Sequence, residues 1–152
     1  MTSLERFRPT AEGPTALFLD TSGLFPYFHR GTEEHETATS FLGAVGANDI
    51  PYRPLYTSTY VLDELATLLL SKGTHELAVT ALDRTLDSAH VTVLRETDDG
   101  FTSARETFEQ YDDHEISFTD HLSASQMRDH DVDHVFAYDG DFRTLGFEQI
   151  PR

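Results

Sequence analysis

The run Ala16-Leu17-Phe18-Leu19 leads without a break into Asp20-Thr21-Ser22. An apolar stretch with no polar alternation suits a strand covered on both faces, as in a parallel sheet between two layers of helices. Asp20 then stands where that strand ends. In open α/β sheets, ligands bind in the crevice outside the carboxyl ends of the strands. What the chain can do therefore turns on whether other reactive side chains reach the same edge.

At 152 residues, 38% of them hydrophobic, with 11 Phe and 6 Tyr, the chain suffices for one domain with a real core. It has no cysteine, which removes disulfides, thiol chemistry and all Cys-based zinc or iron–sulfur sites. No leader and no apolar run of the ~20 residues needed for a membrane helix is evident, so a soluble, cytoplasmic protein without membrane contact is expected. Acids outnumber bases 27 to 11, for a net charge of −16, and Lys72 is the only lysine. The acids are spread along the chain rather than held in a tail, a pattern we read as adaptation to a salt-filled cytoplasm of halophilic, archaeal type. At ~1 M salt the screening length falls to roughly 3 Å, so the global charge does not exclude a nucleic-acid partner.

Taken in order, residues 1–15 lack periodicity and carry Pro9, Gly13 and Pro14, and read as a flexible arm. Residues 16–152 read as a single domain. The strand ending at Leu19 precedes a short helix to about His29, capped by Thr21 or Ser22. A second helix is expected from Thr32 to about Gly46. Strands follow at Leu55–Ser58, Val91–Leu94 and Val135–Tyr138, with a last edge strand at Phe147–Ile150. Between them lie helices at Thr59–Leu70, from Thr74, at Asp98–Tyr111 and from Ser117. This alternation gives a three-layer α/β/α fold around a mainly parallel sheet of four to five strands.

Asp20 and Asp139 each follow a buried strand and so reach the same edge. The ordinary role of either alone is to cap the next turn. Glu64 lies in Val61-Leu62-Asp63-Glu64-Leu65, within a helix that looks apolar nearly all round, where a carboxylate is costly without a partner, a metal or a wet cleft. Asp63 and Glu64 could equally be that helix's one solvated stripe, and pattern alone does not separate them. Ser117-x-x-Asp120 is a capping-box arrangement, so Asp120 has a structural role available as well.

Together these segments resemble the PIN domain, the fold of many metal-dependent ribonucleases and of the VapC toxins of type II toxin–antitoxin pairs. The matching motifs are Leu19-Asp20-Thr21-Ser22, Leu62-Asp63-Glu64-Leu65, Thr119-Asp120-His121-Leu122-Ser123-Ala124 and Tyr138-Asp139-Gly140-Asp141-Phe142, in family order. The resemblance implies a metal-dependent endoribonuclease with Asp20, Glu64, Asp120 and Asp139 at its centre. It makes Glu64 rather than Asp63 the site residue, Asp139 the fourth acid and Asp141 a helper or metal ligand, with Thr21 or Ser22 orienting a ligand or water. Carboxylate oxygens suit a hard cation, Mg²⁺ or Mn²⁺. RNA as substrate, an antitoxin covering the cleft and a homodimer are further expectations from the resemblance. Two positions depart from the pattern: His121 stands where a small residue is usual, and Tyr138 where Thr or Ser is common. Either could narrow the cleft or alter the residues around the metal.

Other signals point elsewhere less strongly. The histidines, including His130, His134 and His121, form no motif for a zinc site. Arg30, Arg53, Arg128 and Arg143 form no basic cluster. A housekeeping RNA-maturation nuclease and an inactive PIN-like module that binds RNA or protein are the alternatives. Phosphoryl transfer through an aspartate nucleophile is disfavoured. Ser22 stands where a phosphatase of the haloacid-dehalogenase type needs a second aspartate, and a receiver domain's late lysine is missing.

Overall fold

A computed structural model describes residues 4–112 and 115–152 of the chain. Five strands, β1 (Thr15–Leu19), β2 (Tyr52–Ser58), β3 (Val91–Leu94), β4 (His134–Phe136) and β5 (Glu148–Ile150), form one sheet in the order β3-β2-β1-β4-β5, with every neighbouring pair parallel. Six α-helices complete the described fold: α1 (Thr21–Phe28), α2 (His35–Gly46), α3 (Thr59–Lys72), α4 (His75–Asp87), α5 (Asp98–Gln110) and α6 (Phe118–Asp129). The chain leaves β1 towards β2 and β3, then returns past β1 to β4. With right-handed crossovers, that reversal sets α1–α4 on one face and α5–α6 on the other. The three-layer expectation is met. The reversal also opens a crevice between the carboxyl ends of β1 and β4, which is where Asp20 lies.

Leu17, Phe18 and Leu19 are all buried, as the unbroken apolar run demands. Around them Phe7, Phe41, Tyr52 and Phe136 form an aromatic cluster, with Phe7 stacked on Phe41 at 4.5 Å and Phe41 edge-on to Phe136 at 4.9 Å. Each such ring contributes roughly 1.5–3 kcal/mol by leaving water.

Phe7 belongs to the segment expected to be a flexible arm, and from Leu4 to Arg8 that expectation does not describe the structure. Leu4–Phe7 forms a 3₁₀ turn with Phe7 only 2% exposed, and the Tyr52 hydroxyl donates to the Phe7 carbonyl. The Arg152 amide donates to the Arg6 carbonyl at 2.9 Å, and the Arg6 side chain returns a bond to the Arg152 carbonyl at 2.5 Å. A lone Phe among polar residues gives no period to read, yet burying it outweighs the cost of ordering one turn.

Some boundaries also move. α2 begins at His35, because the His35 amide closes a turn on the Thr32 carbonyl at 3.3 Å first. β2 begins at Tyr52 and includes Pro54, tolerated where the β1–β2 register shifts between Thr15 and Leu17. β4 ends at Phe136, leaving Ala137 and Tyr138 to carry the chain to Asp139. No described helix is long and apolar enough to cross a membrane.

Candidate active site

The Asp20 backbone is still extended, and its side chain caps α1. Oδ2 accepts from the Ser22 amide at 3.1 Å and from the Ser22 hydroxyl at 2.7 Å. The capping residue is thus the aspartate itself, not Thr21 or Ser22. Capping occupies only one carboxylate oxygen: Oδ1 is buried and has no hydrogen-bond partner. Asp20 is 5% exposed, and burial pushes its pKa from 3.8 up to about 6, with the charge of Glu64 adding and the bonds from Ser22 opposing.

Ser22 does more than hold Asp20. Its hydroxyl oxygen also accepts from the amides of Tyr138 and Asp139, each at 3.1 Å. One side chain therefore fastens the segment after β4 to the corner after β1. Gly23 makes the close approach possible, since a Cβ there would lie 2.5 Å from the Phe136 carbonyl oxygen. Thr21 turns to the neighbouring helix instead, its hydroxyl 3.4 Å from the Val61 carbonyl of α3.

Asp120 enters from the first turn of α6, where the Ser117 hydroxyl accepts from the Asp120 amide at 3.2 Å. The serine half of the capping box is present. The carboxylate pKa is nevertheless raised to about 7, first by burial and then by the charges of Asp20, Glu64 and Asp141, with Ser117 opposing. Gly140 passes close by in a left-handed conformation, φ +94°, and a Cβ on it would sit 3.3 Å from Asp120 Oδ2. Any side chain at 140 would press on this carboxylate.

Glu64 is on the exposed side of α3, not buried as the sequence suggested. That helix turns Val61, Leu62, Leu65 and Leu69 inward and leaves Asp63, Glu64, Thr67 and Leu70 exposed. The wet stripe of the ordinary reading is real, but it borders the crevice. Asp20, Asp63, Glu64, Asp120 and Asp139 all line one cleft of about 840 Å³. Asp141 is exposed and does not line it, although its charge reaches Asp120. Of the two α3 acids, Glu64 is the one whose charge raises both Asp20 and Asp120.

The two departures from the family pattern separate. His121 faces away from the cleft lining: it is 1% exposed, with Nδ1 3.0 Å from the Thr107 hydroxyl and its ring against Phe108 and Tyr111. It packs α6 on α5. Tyr138 does line the cleft, and burial followed by the charge of Glu34 pushes its pKa up to about 12. None of Arg30, Arg53, Arg128 and Arg143 lines the cleft. Arg143 instead binds the Gln149 and Pro151 carbonyls, and Arg128 the Leu145 carbonyl, pinning the chain that follows Asp139. Glu34, Tyr60 and Ser117 also line the cleft and were not among the site residues expected from the sequence. Only Ser117, as a cap, carried any signal.

The chemistry of this cleft fits a hard cation. Its donors are carboxylate oxygens, one of them a buried oxygen without a partner, and two of the acids resist ionising together. Among the described residues no three His, Asp or Glu side chains already form a cage for an ion. Magnesium does not need one, because it keeps several waters and is typically held by one or two carboxylates plus substrate phosphates.

The PIN-domain family model matches residues 17–148. The 23S rRNA-specific endonuclease VapC20 of Mycobacterium tuberculosis is 33% identical over 134 residues, 88% of this chain and 97% of that protein. The crystal structure of M. tuberculosis VapC20 superposes with a TM-score of 0.75 at 34% identity, covering 86% of this chain and 95% of the other. VapBC2 of Rickettsia felis gives a TM-score of 0.65 at 16% identity, over 89% and 97% of the two chains, a likeness of fold alone. With its motifs at one sheet edge and a relative of this identity along nearly its whole length, the chain belongs to the PIN-domain family and is VapC-like within it.

Proposed function

We propose that this protein is an Mg²⁺- or Mn²⁺-dependent endoribonuclease of VapC type, hydrolysing RNA phosphodiester bonds at the cleft between β1 and β4. The observation that carries the proposal is the convergence of Asp20, Glu64 and Asp120, close enough that each of the two aspartates is harder to ionise because Glu64 is there. Acids brought together at such a cost are usually there for function. Asp20, through its free Oδ1, and Asp120 would hold the cation, with Glu64 and Asp139 completing the oxygen set and Asp141 assisting Asp120. When bound, the ion would activate water and neutralise charge developing on the phosphate.

The chain's own residues do the rest. Ser22 holds one oxygen of Asp20 and keeps the Tyr138–Asp139 backbone beside it, so the acids from two strands keep a fixed separation. Ser117 holds the start of α6 and so the direction of Asp120. By similarity to VapC20, ribosomal RNA is the first substrate to test, and an antitoxin peptide that covers the acidic cleft is the expected partner. A homodimer is expected on the same grounds.

The test is cleavage of the source organism's RNA in molar KCl with Mn²⁺ or with EDTA, wild type against Asp20→Asn. Discrete ends that require Mn²⁺ and vanish in the variant are expected. A folded wild type that neither cleaves ribosomal RNA nor binds Mn²⁺ would overturn the proposal.

A further inference from the structure

The cleft is larger than its acids need. A partly hydrated cation and one phosphate occupy a small part of about 840 Å³, a volume in the range of sites that take a whole small molecule. Beyond the acids its lining is of another kind: Phe25 and Pro26 of α1, Thr32 and Glu34 of the α1–α2 connection, and Tyr138 after β4. The rings of Phe25 and Tyr138 and the proline supply flat apolar surface. The Thr32 hydroxyl is committed as a donor to the His29 carbonyl at 2.9 Å.

Glu34 is the polar group left over. It stands in the N-cap position of α2, yet its side chain makes no capping bond. Its carboxylate has no hydrogen-bond or ion-pair partner among the described residues. It lies near Tyr138, whose hydroxyl is also without a partner. A carboxylate repels phosphate, so the parts of an RNA it can hold are N–H and O–H donors. Guanine alone among the four bases offers two adjacent N–H donors, N1–H and N2–H, on its Watson–Crick edge. Adenine, cytosine and uracil would each turn an acceptor towards the carboxylate, leaving a repulsion in place of a bond.

We infer that Glu34, with Phe25 and Tyr138 in the same cleft lining, forms a guanine subsite that selects the nucleotide placed beside the acids. The carboxylate pairs in bidentate fashion with N1–H and N2–H while the base lies against the two rings. This rests on the nuclease reading for its purpose but not for its test.

The experiment measures binding of short labelled oligonucleotides, U-rich with one central G, A or C, to the full chain in EDTA and molar KCl by fluorescence anisotropy. The G-containing strand should bind about tenfold more tightly than the others, the discrimination of one good bidentate pair. Glu34→Gln should erase that preference, because its amide opposes the guanine donors, and Glu34→Asp should keep part of it. Circular dichroism confirms that both variants fold. Equal binding of all strands, no binding, or a preference unchanged in Glu34→Gln would overturn the inference. So would loss in that variant of binding to an arginine-rich peptide instead, which would make Glu34 a seat for protein. Cleavage with Mn²⁺ is scored separately. Guanine selection with neither cleavage nor Mn²⁺ binding sinks the nuclease reading alone, and cleavage with no base preference sinks the subsite alone.

Discussion

The acidic cleft has a buried corner and an exposed rim, and they are built by opposite means. At the corner, Asp20 is 5% exposed and tied to Ser22, and its carboxyl is pushed up to about 6. At the rim, Asp63, Glu64 and Asp139 are exposed, supplied by a helix face and a glycine-containing turn. The corner gives fixed geometry at a cost in stability. The rim gives charge at little cost, on side chains that solvent reaches. A cation or an RNA phosphate meets the first as a preformed socket and the second as a charged border.

The largest effect should therefore come from the corner. Asp20→Asn keeps the shape and a hydrogen-bond acceptor but removes the charge. Cleavage should fall by more than the roughly 100-fold that loss of a mere supporting partner costs. The same variant should be more stable than wild type without metal at pH 8, since an aspartate lifted from 3.8 to about 6 destabilises the fold by about 3 kcal/mol once ionised. Activity and melting temperature moving in opposite directions mark a functional acid. If both fall together, Asp20 is chiefly a cap.

Next in size is Ser22→Ala. It removes the bond to Asp20 Oδ2 and the acceptor for two amides, and the corner loses its tie to the segment after β4. Mn²⁺ affinity should drop by about 10–100-fold with the fold retained. Titration calorimetry checks this. An unchanged affinity would mean that the two strand ends hold their positions without the hydroxyl.

How much of this was open to sequence reasoning follows the same division. β1 and its terminal Asp20 were legible because burial on both faces writes itself as an unbroken apolar run. The caps at Ser117 and Thr74 were legible because they follow local rules. What failed was tertiary. Leu68 and Leu70 made α3 look buried all round, whereas one side of it meets solvent, with Leu70 55% exposed. Phe7 joins the core through Phe41, 34 positions away in a part of the chain with its own period, so nothing near it announces the contact. Ser22 as a fastener of two strand ends, and Glu34 in the cleft lining, depend on a β1–β4 adjacency that no local pattern encodes.

The corner should also respond to pH, more gently than to mutation. Asp20 and Asp120 have folded-state pKa values raised to about 6 and about 7, so the folded protein holds protons that the unfolded chain has released. Their stabilising contribution is complete below about 4 and is lost as pH rises through about 6 to 7. In EDTA the melting temperature should fall between pH 5 and pH 8. Asp120→Asn should flatten that fall, and Mn²⁺ should reverse much of it by replacing the protons. A wild-type profile flat across this window would show that the two acids ionise freely.

The smallest effect should separate neighbours on the rim. Asp63 and Glu64 are both exposed, both line the cleft and share a helix turn, yet only Glu64 raises Asp20 and Asp120. Coulomb energy falls with distance and is screened by salt, so a charge that still acts on both buried acids lies on their side of the helix. Glu64→Gln should lower cleavage by at least tenfold and ease the ionisation of both aspartates. Asp63→Asn should change cleavage by no more than about threefold, the scale of a surface charge. Steady-state cleavage by the two variants in molar KCl decides it. Equal losses would mean that the rim acts through its summed charge, and that high salt leaves enough of that charge unscreened to matter.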